Sequence, residues 1–234
     1  MAPARMSAEA RRESILDAAM PLFAELGLRG VTTRQIADAA GISEALLYRH
    51  FDGKEALYEE IQRSCLRQTT RVAEQLTKLE PSTSTLVLAL HYMMSQVFFG
   101  AQDASHTRCL KRLIINSLLE DGAFVRGFLQ ANIERWLPVL EECMEAAHQA
   151  GELVVAMDTA RARLWFCHHL AAILTHYRMP EKPVIDYGLQ EEELLEEAVR
   201  FALRGLGLSD EAIASHYNPK ALALLTQNLS QQIS

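Results

Sequence analysis

Residues 32–54 read TTRQIADAAGISEALLYRHFDGK, and the order of caps and stops in this stretch decides the fold. Thr32 with Gln35 three places on forms a capping box, which predicts a helix through Ala40. Gly41 supplies the left-handed residue that ends it. Ser43 caps a second helix from Glu44 to about His50, and Asp52 with Glu55 forms another box that starts a long third one. Ile36, Ala37, Ala40, Ile42, Leu47 and Phe51 are small or apolar and suit the packed side of the pair. Two short helices on a glycine turn make a helix-turn-helix.

Toward the N-terminus, Ile15, Ala19, Leu22 and Leu26 recur at helical spacing, with Leu16 and Phe23 beside them. They predict an amphipathic helix over about 8–26, stopped by Gly27 and Gly30 and kinked at Pro21. Toward the C-terminus the third helix is expected to run from Lys54 to about Leu79, a lever about 39 Å long at about 1.5 Å per residue. Pro81 to Ser84 mark the next boundary. Helical patterns follow over about 85–100, 106–119, 122–150, 158–178, 189–206 and 209–228. Strand signals are absent, so the chain reads as all-α.

Composition narrows the functional classes. The chain has 234 residues, 49% of them hydrophobic, enough for a sizeable core. No apolar run approaches the roughly 18 residues of a membrane helix, and the basic N-terminus lacks a following apolar segment. A cytoplasmic protein without membrane contact is the expectation. Cys65, Cys109, Cys143 and Cys167 are far apart, without a CxxC pair, and read as reduced packed thiols. Cys167, His168, His169 and His176 do not make a metal set, because adjacent histidines point to different faces of a helix. HExxH, a phosphate-binding glycine loop and GxSxG are all missing, so neither catalysis nor a cofactor is expected. Residues 1–54 hold seven Lys or Arg and seven Asp or Glu, and the whole net charge of −7 falls on the remainder. The acidic excess therefore lies away from the motif, whose basic residues gather at the tail, at Arg34 and over Arg49 to Lys54.

From Ile15 to Tyr58, the spacing IL-AA--LF-E-G, then VTTRQIADAAGIS, LYRHF and KEALY, resembles the DNA-binding domain of the TetR family of bacterial transcription regulators. The resemblance implies a helix-turn-helix domain over 1–53, joined by a long helix to a larger helical ligand-binding and dimerisation domain over 54–234. It implies a homodimer on double-stranded DNA, at a near-palindromic operator, released when a small-molecule effector enters the second domain. Thr33 and Arg34 would meet phosphate at the start of the second helix. Ser43, Glu44, Ala45, Leu46 and Tyr48 would face the major groove, with Arg49, His50 and Lys54 toward the backbone. The family often has Gly, then Thr or Ser, before the Leu-Tyr pair; Ala45 and Leu46 stand there, so readout at Leu46 is apolar or absent.

In the second domain, His91, Tyr92, Met94, Phe98, Phe99, Asn116, Trp136, Trp165, Cys167, His168 and His169 are bulky or adaptable side chains on helices. Tyr92, Phe98, Phe99, Asn116, Trp136, Trp165 and His169 are the candidate pocket residues, and the same stripes also suit plain core. For a dimer interface the candidates are Phe166, Ile173 and Tyr177 with Leu195, Val199, Ala202 and Leu206, unless these face the protomer's own core. A functional alternative is a DNA-bound architectural or partner-recruiting protein without a small ligand.

Overall fold

The computed structural model describes residues 6–68, 78–100 and 104–231. The chain is helical, and among the described residues the only bridge-type pairing is the isolated one between Leu153 and Leu208. It divides into two compact units, Met1–Gln68 with Ser105–Leu129, and Thr69–Ala104 with Gln130–Ser234.

The first unit is built on α1, Ala8–Gly30, capped by the Ser7 hydroxyl, which accepts from the Ala10 amide at 3.1 Å. Helical backbone angles continue through Pro21 and break at Gly27, φ 68° and ψ 171°. The expected kink thus falls at the glycine: Pro21 removes one donor, whereas Gly27 leaves the helical region altogether. Then come α2, Thr33–Ala39, and α3, Glu44–Tyr48, with both halves of the Thr32–Gln35 box formed and the Ser43 cap in place. Gly41, at φ 64°, turns the chain between them. α4 is described over Lys54–Gln68 and is preceded by Gly53, one place after the expected cap Asp52. The lever's continuation over 69–77 lies outside the described residues. Two later helices, α6, Ala104–Leu119, and α7, Ala123–Asn132, carry most of the segment that rejoins this unit.

Its core holds Ile15, Phe23, Ile36, Leu47, Leu57 and Ile61, closed by Leu113 of α6 and Phe124 of α7. The Phe23 and Tyr58 rings lie 5.0 Å apart. Last-turn carbonyls lack intrahelical donors, and α6 supplies some to α1. Arg112 Nε donates to the Ala24 carbonyl at 3.0 Å, and Asn116 Nδ2 donates to Ala24 at 3.2 Å and to Phe23 at 3.4 Å.

The second unit is centred on α5, Thr83–Phe99, which is buried on most sides and starts from a Ser82 cap. A helix apolar all round must be surrounded. Against it pack α8, Leu137–Gln149; α9, Ala160–Tyr177; α10, Glu191–Leu206; α11, Asp210–His216; and α12, Pro219–Gln231. Two of the long patterns are each split. A 3₁₀ turn at Glu134–Trp136 precedes Pro138 in the first turn of α8, where its missing N–H costs nothing. Pro219 likewise opens α12, with the Asn218 side chain accepting from the Ala221 amide at 3.1 Å. Glu152 joins three segments, accepting from the Thr83 hydroxyl and meeting His216 Nε2 at 2.9 Å. Ser84 meets the other ring nitrogen of His216 at 2.9 Å. These hydrogen bonds, Thr83's foremost, hold the Glu152 carboxyl below the usual range.

Candidate nucleic-acid interface and effector region

Leu47 faces inward from α3 with no exposed surface, followed by Phe51 at 3%. The opposite face therefore points to solvent: Ser43, Glu44, Ala45, Tyr48 and Arg49 are exposed, and Leu46 is half-buried. Tyr48 is the exception in kind, a large ring 54% exposed on an otherwise polar surface. Its hydroxyl donates to Thr33 Oγ1 at 3.5 Å, and that hydroxyl donates to Glu44 at 3.5 Å, so α2 and α3 present one connected polar face. Arg34 is exposed at the first turn of α2, whose free backbone N–H groups and positive dipole end favour an anion.

Two supports fix this face. Lys54 Nζ donates to the carbonyls of Leu28 and Val31, both at 2.9 Å, which ties the start of α4 to the end of α1 and its C-cap. Expected on the DNA backbone, Lys54 directs its ammonium inward. Arg12 was not anticipated. Its guanidinium donates to the His50 carbonyl, pairs with Glu60 at 2.8 Å and lies 4.1 Å from the centre of the Phe51 ring. His50 is half-buried beside it. The signal for Arg12 is weak in sequence, because a basic residue in a basic tail reads as a phosphate contact.

The candidate pocket residues do not fall together. Tyr92 and Trp136 do: their rings stack at 6.0 Å with planes 2° apart, both buried. Phe98 is buried beneath the Arg178 guanidinium, 4.7 Å from its ring centre, while Phe99 is 41% exposed. Trp165 is half-buried and touches His168 edge-on at 5.7 Å. His169 is exposed, stacked on the outer side of Trp165, and Asn116 lies in the other compact unit with its amide on α1. His91, His168 and Tyr217 are buried in the same unit. Burial lowers the His91 pKa and brings that of His168 down to about 4, the neighbouring His169 and His176 adding to the effect. It raises the Tyr92 hydroxyl and the Cys167 thiol to about 12.

The candidate dimer residues separate by helix. On α9, Phe166, Ile173 and Tyr177 are 65%, 43% and 39% exposed and share one stripe. On α10 the stripe Leu195, Val199, Ala202 and Leu206 is buried in the protomer's own core, which removes it from any outer surface. Sequence periodicity locates an apolar stripe but not what covers it. The exposed apolar residue of α10 is Phe201, at 69%, and the two helices are joined where the Cys167 thiol meets the Ala202 carbonyl at 3.7 Å.

A family model described as bacterial regulatory proteins, tetR family, matches residues 15–61. The transcriptional repressor KstR2 of Rhodococcus jostii is 57% identical over 56 residues, 24% of this chain and 28% of that protein. KstR2 of Mycolicibacterium smegmatis is 34% identical over 149 residues, 61% of this chain and 69% of that one. Among solved structures, AibR in complex with isovaleryl coenzyme A and operator DNA has a TM-score of 0.58 at 20% identity, covering 82% of this chain and 97% of its own. No helix of the described residues is long and apolar enough to cross a membrane. With its exposed α3 face, its capped two-helix motif and these relatives, the chain belongs to the TetR family of DNA-binding bacterial transcription regulators, which are not enzymes.

Proposed function

We propose that the protein is a repressor that binds a near-palindromic operator as a homodimer and releases it when a small, largely apolar effector enters the second unit. The observation that carries the proposal is the outward face of α3, where Ser43, Glu44, Ala45 and the 54%-exposed Tyr48 stand opposite the buried Leu47. Thr33, Arg34 and Arg49 flank it as phosphate contacts, Leu46 packs at its edge, and His50 and Lys54 hold its end. In functional terms residues 1–53 do the reading and 54–234 the sensing and pairing. Two such helices must lie about 34–36 Å apart to enter successive major grooves, so one protomer does not suffice. Phe166, Ile173 and Tyr177 of α9, with Phe201 of α10, supply an exposed apolar surface that pairing would cover. The repressor and effector parts follow the named relatives, KstR2 as a repressor and AibR with its coenzyme A ester. For a ligand to act, it must bind the DNA-releasing state more tightly than the DNA-bound one.

The test is selection of duplexes from a random library, with Tyr48→Ala as control. A palindrome recovered by the native protein and lost by the variant is the expected result. Salt-sensitive binding with no enriched sequence, or no binding, would overturn the repressor reading in favour of a partner-recruiting protein.

A further inference from the structure

The second unit keeps buried polar atoms that have no hydrogen-bond partner among the described residues, and the helix register places two of them along one seam. They are Trp136 Nε1 and His168 Nδ1, on side chains of residues each 8% exposed. Trp136 stacks on Tyr92 of α5, which places it between α5 and the start of α8. On α9, the residues seven before and seven after His168 share its face to within about 20°. Those residues are Arg161, paired with Glu141 of α8 at 2.8 Å, and Thr175, whose hydroxyl donates to the Val97 carbonyl of α5 at 3.2 Å. His168 therefore faces the same seam between α5 and α8 that Trp136 occupies, with Trp165 edge-on beside it.

We infer that this seam is the effector site, and that the part of the effector entering it is uncharged, apolar and carries a carbonyl or hydroxyl oxygen for Trp136 and His168. The inference rests on the effector reading above. An indole N–H only donates, so Trp136 requires an acceptor; a neutral imidazole donates or accepts at Nδ1. Leaving such groups unpaired in a core is costly, which favours a ligand that supplies both partners. A carboxylate would also accept, but its charge would be buried without a counter-ion. Of the cations around the seam, Arg161 is paired with Glu141, and Arg178 lies over Phe98 and pairs with Glu191. His168 is held neutral by its burial. The oxygen belongs either to a free ketone or alcohol or to the acyl end of a thioester whose charged remainder stays outside.

The chain has two tryptophans, Trp136 and Trp165, and both border the seam, so intrinsic fluorescence reports directly on it. The full-length protein is titrated at pH 7.5 with decan-2-one, decanoate and decanoyl coenzyme A. Saturable binding of decan-2-one at least tenfold tighter than decanoate is expected. Trp136→Phe, read through Trp165, weakens it about fivefold, as one lost hydrogen bond should. His168→Leu has the same expected loss, so a folding defect in one variant leaves the point decidable. Decanoyl coenzyme A binding more tightly than the ketone identifies the thioester source, and weaker binding the free molecule. Decanoate binding as tightly as the ketone overturns the uncharged site alone. No response to any of the three, as for atoms served by water in a closed core, removes the effector reading with it.

Discussion

Asn116→Leu tests whether α6 holds the reading unit together. In the native chain its amide nitrogen donates at 3.2 Å to the Ala24 carbonyl and at 3.4 Å to that of Phe23, in the last turn of α1 before Gly27. Leucine fills nearly the same volume and removes both donations. The 3.2 Å bond is worth about 1 kcal/mol and the longer one less, and the Arg112 donation to Ala24 remains, so the expected loss is about 1.5 kcal/mol. That is roughly a tenfold rise in the opening equilibrium of α1. Hydrogen exchange by mass spectrometry resolves peptides across 8–30, while both tryptophans lie in the other unit and report its unfolding separately. The expected result is about tenfold faster exchange across α1 with the tryptophan-detected denaturation midpoint unmoved. Unchanged exchange across α1, or an equal loss seen by the tryptophans, would refute the reasoning.

At Gly207, φ is 101° and an added Cβ would sit 2.1 Å from Val155 Cγ2; Gly207→Ala should cost about 2–4 kcal/mol in guanidinium unfolding, and a loss below about 1 would contradict that geometry. His168 has a folded pKa near 4, below its ordinary 6.5. The unfolded chain thus takes up the proton first, and the stability His168 contributes, complete above pH 6.5, falls by about 2 kcal/mol at pH 5. His168→Gln should flatten the tryptophan-detected stability profile over that window, and a profile as steep as the native one would show that the loss lies elsewhere. The depressed Glu152 carboxyl adds a further loss as pH drops through its usual 4.5, which Glu152→Gln should remove. Phe166→Arg combined with Phe201→Glu should give a folded monomer by analytical ultracentrifugation, whereas Leu195→Arg should unfold the second unit; a dimer surviving the first pair would exclude that face.

The helix-turn-helix was legible because its determinants are local. Thr32 and Gln35 cap each other three places apart, Ser43 caps the amide three places on, and Gly41 turns the chain by its own positive φ, so each takes the role its type suggests. Tyr48 and Leu47 also sort correctly onto outer and inner faces, since the buried face of a short helix is set by adjacent apolar residues. What was not legible depends on contacts distant in sequence. Asn116 looked like a pocket amide but serves α1, across 92 residues to Ala24. Arg12, one basic residue among several in the tail, reaches across 38 residues to the His50 carbonyl and holds the end of α3. Leu195 and Val199 looked like a seam between protomers, and only the helices stacked on α10 reveal that the seam is internal. His168 and His169 differ by one position, and a shift of about 100° around the helix separates a buried ring from an exposed one.

The return of Ser105–Leu129 to the N-terminal unit also sets a timetable for biosynthesis. The first residues made are not the first that can finish folding. Leu113 and Phe124 complete a core begun by Ile15 and Phe23, so that core must wait for 61 residues beyond Gln68, the difference between 129 and 68. At about 5–20 residues per second, that is a delay of roughly 3–12 s for each nascent chain. During it the apolar side of α1 lacks part of its partner surface. A chain released between residues 69 and 112 would carry every residue of the reading helix and still lack Leu113 and Phe124, which close the core beneath it.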